Sequence, residues 1–186
     1  GGGDIAAVTV AEADSPQGPW RPLGRVVVDF GRPDEWDANA IHDPFPIVYQ
    51  GKIHLYYKGQ PIRARDGASG IELVRAQGVA IAESPLGPFT KHPLNPVINS
   101  GHETCLFPWK GGIAAITSLD GPEKNTVQFA PDGVNFEIMS SIEMPPLAPG
   151  PFVPDAFADN GDGRGITWGR CHIPPPADAT TPGNWS

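Results

Sequence analysis

An incomplete all-β propeller is the fold the sequence predicts, and three observations predict it. Gly and Pro, 23 of each among 186 residues, fall every few positions, so no window sustains the 3.6-residue apolar period of a long helix. A 39% hydrophobic share and five Trp argue for a packed core rather than the disorder that so much Gly and Pro otherwise signals. A strand–turn–strand unit also recurs at intervals of about 50 to 70 residues, which in an all-β sequence points to radial repetition.

The recurring unit is first seen at Val8 to Trp20, where an apolar run leads into Ser15-Pro16-Gln17-Gly18-Pro19-Trp20. It returns 69 residues later as Val79 to Ala82 followed by Ser84-Pro85-Leu86-Gly87-Pro88-Phe89. A looser copy spans Val127 to Phe136 around Pro131-Asp132-Gly133, a strong turn signal between apolar runs. Four-stranded blades follow from this spacing. In the first (41–94), Phe45 to Gln50 and Lys52 to Lys58 form a hairpin about Gln50-Gly51, with Gly78 to Ala82 and Phe89 to His92 outside it. In the second (102–142), the strands are Cys105 to Trp109, Ile113 to Ser118, Thr126 to Ala130 and Phe136 to Ser140. A third unit (153–173) begins with Ala156 to Asp159 and Gly165 to Arg170, and residues 1–30 read as the outer strands of a preceding blade. The whole is one partial propeller domain over 1–186, about two full blades plus parts of two others.

Proline placement agrees with this order. Pro44, Pro46, Pro108 and Pro154 lie in or beside the expected innermost strands, where a free edge tolerates a residue that donates no ladder hydrogen bond. The alternative is that they are loop prolines between the strands of a sandwich. Along Lys52 to Lys58, the period of two puts Ile53, Leu55 and Tyr57 on one face and His54, Tyr56 and Lys58 on the other, one to pack and one to be polar.

Charge excludes some partners. With 13 Lys and Arg against 21 Asp and Glu, the net charge is −8, and the cations are scattered, so a nucleic acid or an anionic membrane surface would be repelled. No apolar run approaches the roughly 20 residues that cross a bilayer. Cys105 and Cys171 give neither a disulfide framework nor a CxxC metal spacing. The Gly1-Gly2-Gly3-Asp4 beginning and the Pro-rich stretch up to Ser186 read as those of a fragment, which leaves localisation open.

Three carboxylates precede the expected innermost strands: Asp43 in Ile41-His42-Asp43-Pro44, Glu103 in Gly101-His102-Glu103-Thr104, and Asp155 in Val153-Pro154-Asp155-Ala156, separated by 60 and 52 residues. Radial blades would carry all three to one end of the axial funnel. Crowded carboxylates raise one another's pKa values and divide into acid and base, the set that glycoside hydrolysis needs. Taken singly, Asp43 and Asp155 also fit turn caps and Glu103 a solvated rim residue. Trp36, Trp109 and Trp168 have flat faces for pyranose rings, and His42, His102 and Lys58 have hydrogen-bond donors, although packing is the commoner use of Trp. His172, after Gly169-Arg170-Cys171, is a second candidate for proton donor if carboxylates lift its pKa. Asp159-Asn160-Gly161-Asp162-Gly163 reads first as a hairpin turn, with calcium binding as the weaker reading because the full EF-hand spacing is lacking.

Ala40 to Pro46 followed by Gly51 to Gly59 resembles the first-blade signature of the five-bladed propeller glycosidases, most closely glycoside hydrolase family 117. Gly101 to Cys105, Pro154 to Phe157 and Trp168 to His172 add to the likeness, which spans about residues 5 to 173; a short Asp-Pro before a strand occurs in families 43 and 32 as well. The resemblance implies an exo-acting, inverting enzyme that releases 3,6-anhydro-L-galactose from the non-reducing end of agar-derived oligosaccharides. It implies Asp43 as the general base, Asp155 and Glu103 lining the subsite and setting the field around the proton donor, and His172 as that donor. It also implies a divalent cation, magnesium or calcium, whose ligands have no visible place here; the residues themselves require no cofactor. A homodimer of the full-length protein is implied too, although the family's helical N-terminal dimerisation segment has no counterpart. A five-bladed ring takes about 300 residues, so this chain does not close one alone. The other readings are a non-catalytic carbohydrate-binding propeller and a family 43-like or 32-like glycosidase of different sugar specificity.

Overall fold

The structure, a computed structural model, describes residues 6–62, 74–159 and 163–172. These residues form twelve strands and no helix: β1 (Val8–Glu12), β2 (Arg21–Val28), β3 (Ala40–Tyr49), β4 (Lys52–Gln60), β5 (Ala76–Ala82), β6 (Thr90–Lys91), β7 (Glu103–Trp109), β8 (Gly112–Ser118), β9 (Thr126–Ala130), β10 (Glu137–Ser141), β11 (Leu147–Pro151) and β12 (Gly169–His172). They make two four-stranded antiparallel sheets, β3-β4-β5-β6 and β7-β8-β9-β10, and two strand pairs, β1-β2 and β11-β12. Each four-stranded sheet is a meander, the blade of a propeller.

The two inner hairpins are made the same way. Gln50 and Gly51 have φ values of 52° and 72°, and Lys110 and Gly111 have 47° and 77°. Two consecutive left-handed residues give a turn whose twist matches that of the flanking strands, and Gly in the second place removes the Cβ penalty. From there the ladders run in unbroken register from Trp109↔Gly112 to Glu103↔Ser118, and from Tyr49↔Lys52 to Phe45↔Tyr56. Between Phe45 and His42 the first ladder shifts at a bulge, where Asp43 takes a φ of 50°. A bulge re-aims the side chain it carries.

The blades pack through a shared core. Ile47, Tyr49, Tyr56 and Val79 of the first meet Leu106, Ile113 and Ala115 of the second. The Tyr56 hydroxyl is wholly buried and donates to the carbonyl of Gly133 at 2.7 Å, so burial pushes its pKa well up without leaving the group unsatisfied. The other face of the first blade packs Ile41, Leu55, Tyr57 and Ala80 against Val8 and Val28 of the β1–β2 hairpin. Both faces of β4 are buried, so the face expected to be polar carries His54 and Lys58 out of solvent. His54 and Tyr56 enter the inter-blade core instead.

The third unit departs from expectation. Ala156 to Asp159 is a turn rather than a strand, and β11 and β12 pair through Leu147↔His172, Gly150↔Arg170 and Pro151↔Gly169. The turn lies against the tip of the first blade: the Val48 amide donates to Ala156 at 2.7 Å, and the Asp159 carboxylate accepts the amides of Gln50 and Gly51 at 2.7 and 2.6 Å. Asp159 thus caps a turn 108 residues earlier. The remainder of the Asp159–Gly163 oxygen-rich run, residues 160–162, lies outside the described residues.

Candidate active site

Asp43 and Glu103 stand at matching places, near the starts of the adjacent inner strands β3 and β7. The bulge turns Asp43 outward, so its side chain is mostly exposed, and its carboxylate meets the Lys58 ammonium at 2.5 Å. Lys58 lies on β4 opposite His42 and is buried along its length. A buried ammonium requires a counter-charge, and Asp43 provides it. His42 is half-buried beside this pair.

On β7, Glu103 and His102 are adjacent, with Nε2 of the imidazole 3.5 Å from the carboxylate. Two residues not anticipated from the sequence fix this end of the strand. The Asp120 carboxylate accepts the His102 amide at 2.8 Å and the Arg75 guanidinium at 3.0 Å, and both side chains are largely buried. Gln77 adds a bond from its side-chain amide to the Gly101 carbonyl at 2.6 Å, and Ser118 one from its hydroxyl to the Glu103 carbonyl at 2.7 Å. The one sequence signal for Asp120 was an acid immediately before the Gly121 of a turn; Arg75 had none.

Burial pushes the His102 pKa below its ordinary value, and the nearby charges of Arg75 and Lys58 push it further, against the pull of Glu103 and Asp120. Lys58 therefore acts on both Asp43 and His102, which places the first-blade and second-blade groups in one electrostatic field. At neutral pH the His102 ring is uncharged, with one nitrogen to donate and one to accept.

The other candidates lie elsewhere. Asp155 is buried in the turn at the opposite end of the inner strands, beside Val48, Tyr49 and Pro108. Five residues of extended chain separate Val48 from Asp43, about 16 Å. The Asp155 carboxylate is bound to the Arg164 guanidinium at 3.1 Å and 3.3 Å, and those bonds hold its pKa below the usual carboxylate range. The convergence of three carboxylates at one funnel end is thus corrected to two. Trp109 lies at the same far end, edge-on to Phe129 with ring centroids 5.5 Å apart and the Lys110 ammonium 4.4 Å above its ring. Trp36 packs flat on Tyr57 over Gly59 and Gly78, and is not a free platform. Trp168 stacks on Phe152 at 4.8 Å and is more than half exposed. His172 is exposed at the end of β12, paired in register with Leu147. Among the described residues no three His, Cys, Asp or Glu side chains are grouped to hold a metal ion, so the described residues do not fit the implied cation.

No protein-family model matches this chain, and no curated protein matches it. A solved structure does: Zg3597, a family 117 glycoside hydrolase produced by the marine bacterium Zobellia galactanivorans, is 53% identical, with a TM-score of 0.79, over 92% of this chain and 47% of that one. The chain resembles family 117 glycoside hydrolases. At this identity the likeness extends beyond fold to the side chains. The chain spans about half the length of its family 117 neighbour.

Proposed function

We propose that this chain supplies part of the active site of a glycoside hydrolase, with Asp43 as the base that activates water. The observation that carries the proposal is the pairing of Asp43 with buried Lys58 beside His102 and Glu103, at one end of adjacent inner strands, in a chain 53% identical to a family 117 enzyme. The Lys58 ammonium holds the Asp43 carboxylate in place, and a carboxylate can take a proton from water as the oxygen attacks the anomeric carbon. His42 and His102 line the same end, to bind sugar hydroxyls. Glu103 sets the field around the proton donor, and the support for His172 in that role is the family 117 likeness alone. Asp155, Trp109 and Trp168 are better supported as packing residues than as sugar contacts. The finer reading is an exo-acting, inverting enzyme that releases 3,6-anhydro-L-galactose from agar-derived oligosaccharides, and the support for it is the family 117 likeness alone.

The test is to incubate the chain, and the longer polypeptide of Zg3597 as reference, with agar, carrageenan and arabinan oligosaccharides and to identify the monosaccharide released. Anhydrogalactose from the agar series, lost by at least about 100-fold in kcat in Asp43→Asn with binding retained, is the expected result. Binding without release by the wild-type chain would favour a carbohydrate-binding propeller instead. What favours that second reading is that the pairing of Asp155 with Arg164 removes one of the three expected catalytic carboxylates.

A further inference from the structure

At the charged end of the second blade, two loops lie main chain against main chain. Because β7 and β8 are antiparallel, residues 99–102, which lead into β7, meet residues 119–125, which leave β8. Gly121, at a φ of 90°, permits the approach: a Cβ there would lie 2.3 Å from the Ser100 hydroxyl oxygen and 2.8 Å from the Asn99 carbonyl oxygen. Hydrogen bonds then join the loops residue by residue. The Glu123 carboxylate accepts the Asn99 amide at 3.0 Å, and the Glu123 amide donates to the buried Ser100 hydroxyl at 2.6 Å. The Asp120 carbonyl accepts the Gly101 amide at 3.3 Å, and its carboxylate accepts the His102 amide at 2.8 Å. Glu123 is itself held, its carbonyl accepting the Thr117 and Thr126 hydroxyls at 2.9 and 2.7 Å. Residues 99–102 belong to no ladder, and these bonds stand in for the strand partner they lack.

Asp120 differs from the rest of this clamp in where its second oxygen goes. Arg75 stands just before β5 of the first blade, and its guanidinium donates to that oxygen at 3.0 Å. One carboxylate thus holds both the backbone that carries the His102 ring and a cation of the neighbouring blade. The Asp120 side chain is 13% exposed and the His102 side chain 35%, so a ligand at this end meets the imidazole and not the carboxylate. We propose that Asp120 is a positioning residue that acts through His102, fixing the imidazole so that a sugar hydroxyl meets a hydrogen-bonding ring already in place. This rests on the sugar-binding role of His102 proposed above, and not on Asp43 as base. Its physical content is preorganisation: a ligand binding to an unclamped segment would have to order that segment, at a cost to affinity.

Calorimetric titration of the chain with agar-derived oligosaccharides tests it. Asp120→Asn keeps an acceptor for the His102 amide, whereas Asp120→Ala keeps none. Affinity is expected to fall at least about tenfold in Asp120→Ala and less than about threefold in Asp120→Asn. His102→Ala is expected to weaken binding at least about tenfold, and Asp120→Ala added to it to weaken binding no further, since a residue that acts through another has no effect once the other is gone. Gly121→Ala, which parts the loops and leaves the carboxylate in place, is expected to behave as Asp120→Ala does, alone and with His102→Ala. Amide exchange in β8 checks that each variant is folded. Unchanged affinity in Asp120→Ala, no rescue by Asp120→Asn, or losses that add to that of His102→Ala would overturn the proposal. A wild-type chain that binds none of the oligosaccharides would overturn it as well, by removing the role of His102. Binding without release of a monosaccharide leaves it standing and counts only against Asp43 as base.

Discussion

Lys58 and Asp43 form an unequal pair, one end buried and the other mostly in water. Removing the exposed end leaves an ammonium in a low-dielectric site, whereas removing the buried end leaves a carboxylate that water can solvate. Asp43→Ala is therefore expected to destabilise the chain by about 1–3 kcal/mol, below the range for a fully buried pair because Asp43 is solvated, and Lys58→Met by less than about 1 kcal/mol. Urea denaturation of both variants checks the order. Two histidines give stability a pH dependence. Burial pushes His54 below its ordinary 6.5, and His102 is pushed the same way. Among the described residues no partner meets the buried Nδ1 of His54, and burial outweighs the backbone bond at Lys52 that favours protonation. A histidine depressed in the folded state binds protons more readily when unfolded, so stability is complete above 6.5 and is lost as the pH falls through that value toward the folded pKa. The urea midpoint is expected to fall between about pH 7.5 and pH 5.5, with a shallower fall in His54→Leu. Cys105, buried, has its thiol pushed up to about 12, whereas Cys171 is exposed. A thiol reagent is expected to modify Cys171 in the native chain and Cys105 only after denaturation.

At the scale of elements, glycines set how closely the blade receives what packs on it. A Cβ at Gly59 would lie 2.1 Å from the Trp36 ring, and one at Gly78 2.7 Å from it. The ring lies in a trough made by the absence of two side chains, and Lys91 and Tyr57 close it by bonding to buried Asp37 at 2.7 and 3.2 Å. Gly59→Ala is expected to cost about 1–3 kcal/mol by overpacking, read as a lower denaturant midpoint with an unchanged slope. This trough was not legible in the sequence, where Trp36 stands apart from its glycines by 23 and 42 positions. Both complete blades were legible, because Gln50-Gly51 and Lys110-Gly111 mark their inner hairpins and apolar runs flank each turn. The third unit was not. Pro149, Pro151 and Pro154 weaken every strand pattern there, and pairing between Leu147–Pro151 and Gly169–His172 spans a gap that local alternation does not reveal.

At the scale of the molecule, radial symmetry predicts position only when it is counted from a fixed mark. Asp43 lies seven residues before Gln50 and Glu103 seven before Lys110, so both reach the same end of their strands. Asp155 precedes no inner strand, because Ala156 to Asp159 is a turn, and it lies at the opposite end, in an ion pair with Arg164. Arg75 and Asp120 were beyond reach, since they lie 45 positions apart with no shared motif. The latch between Asp159 and the first-blade tip likewise belongs to the assembled chain. Asp159→Ala is expected to speed amide exchange at Gln50 and Gly51 while leaving Lys110 and Gly111 unaffected, which peptide-resolved mass spectrometry can read. The same latch bears on synthesis. The tip leaves the ribosome 108 residues ahead of the carboxylate that seals it, and at about 5–20 residues per second that interval lasts about 5 to 20 seconds. A nascent chain thus presents a finished sheet with an unfinished tip for far longer than a hairpin takes to form.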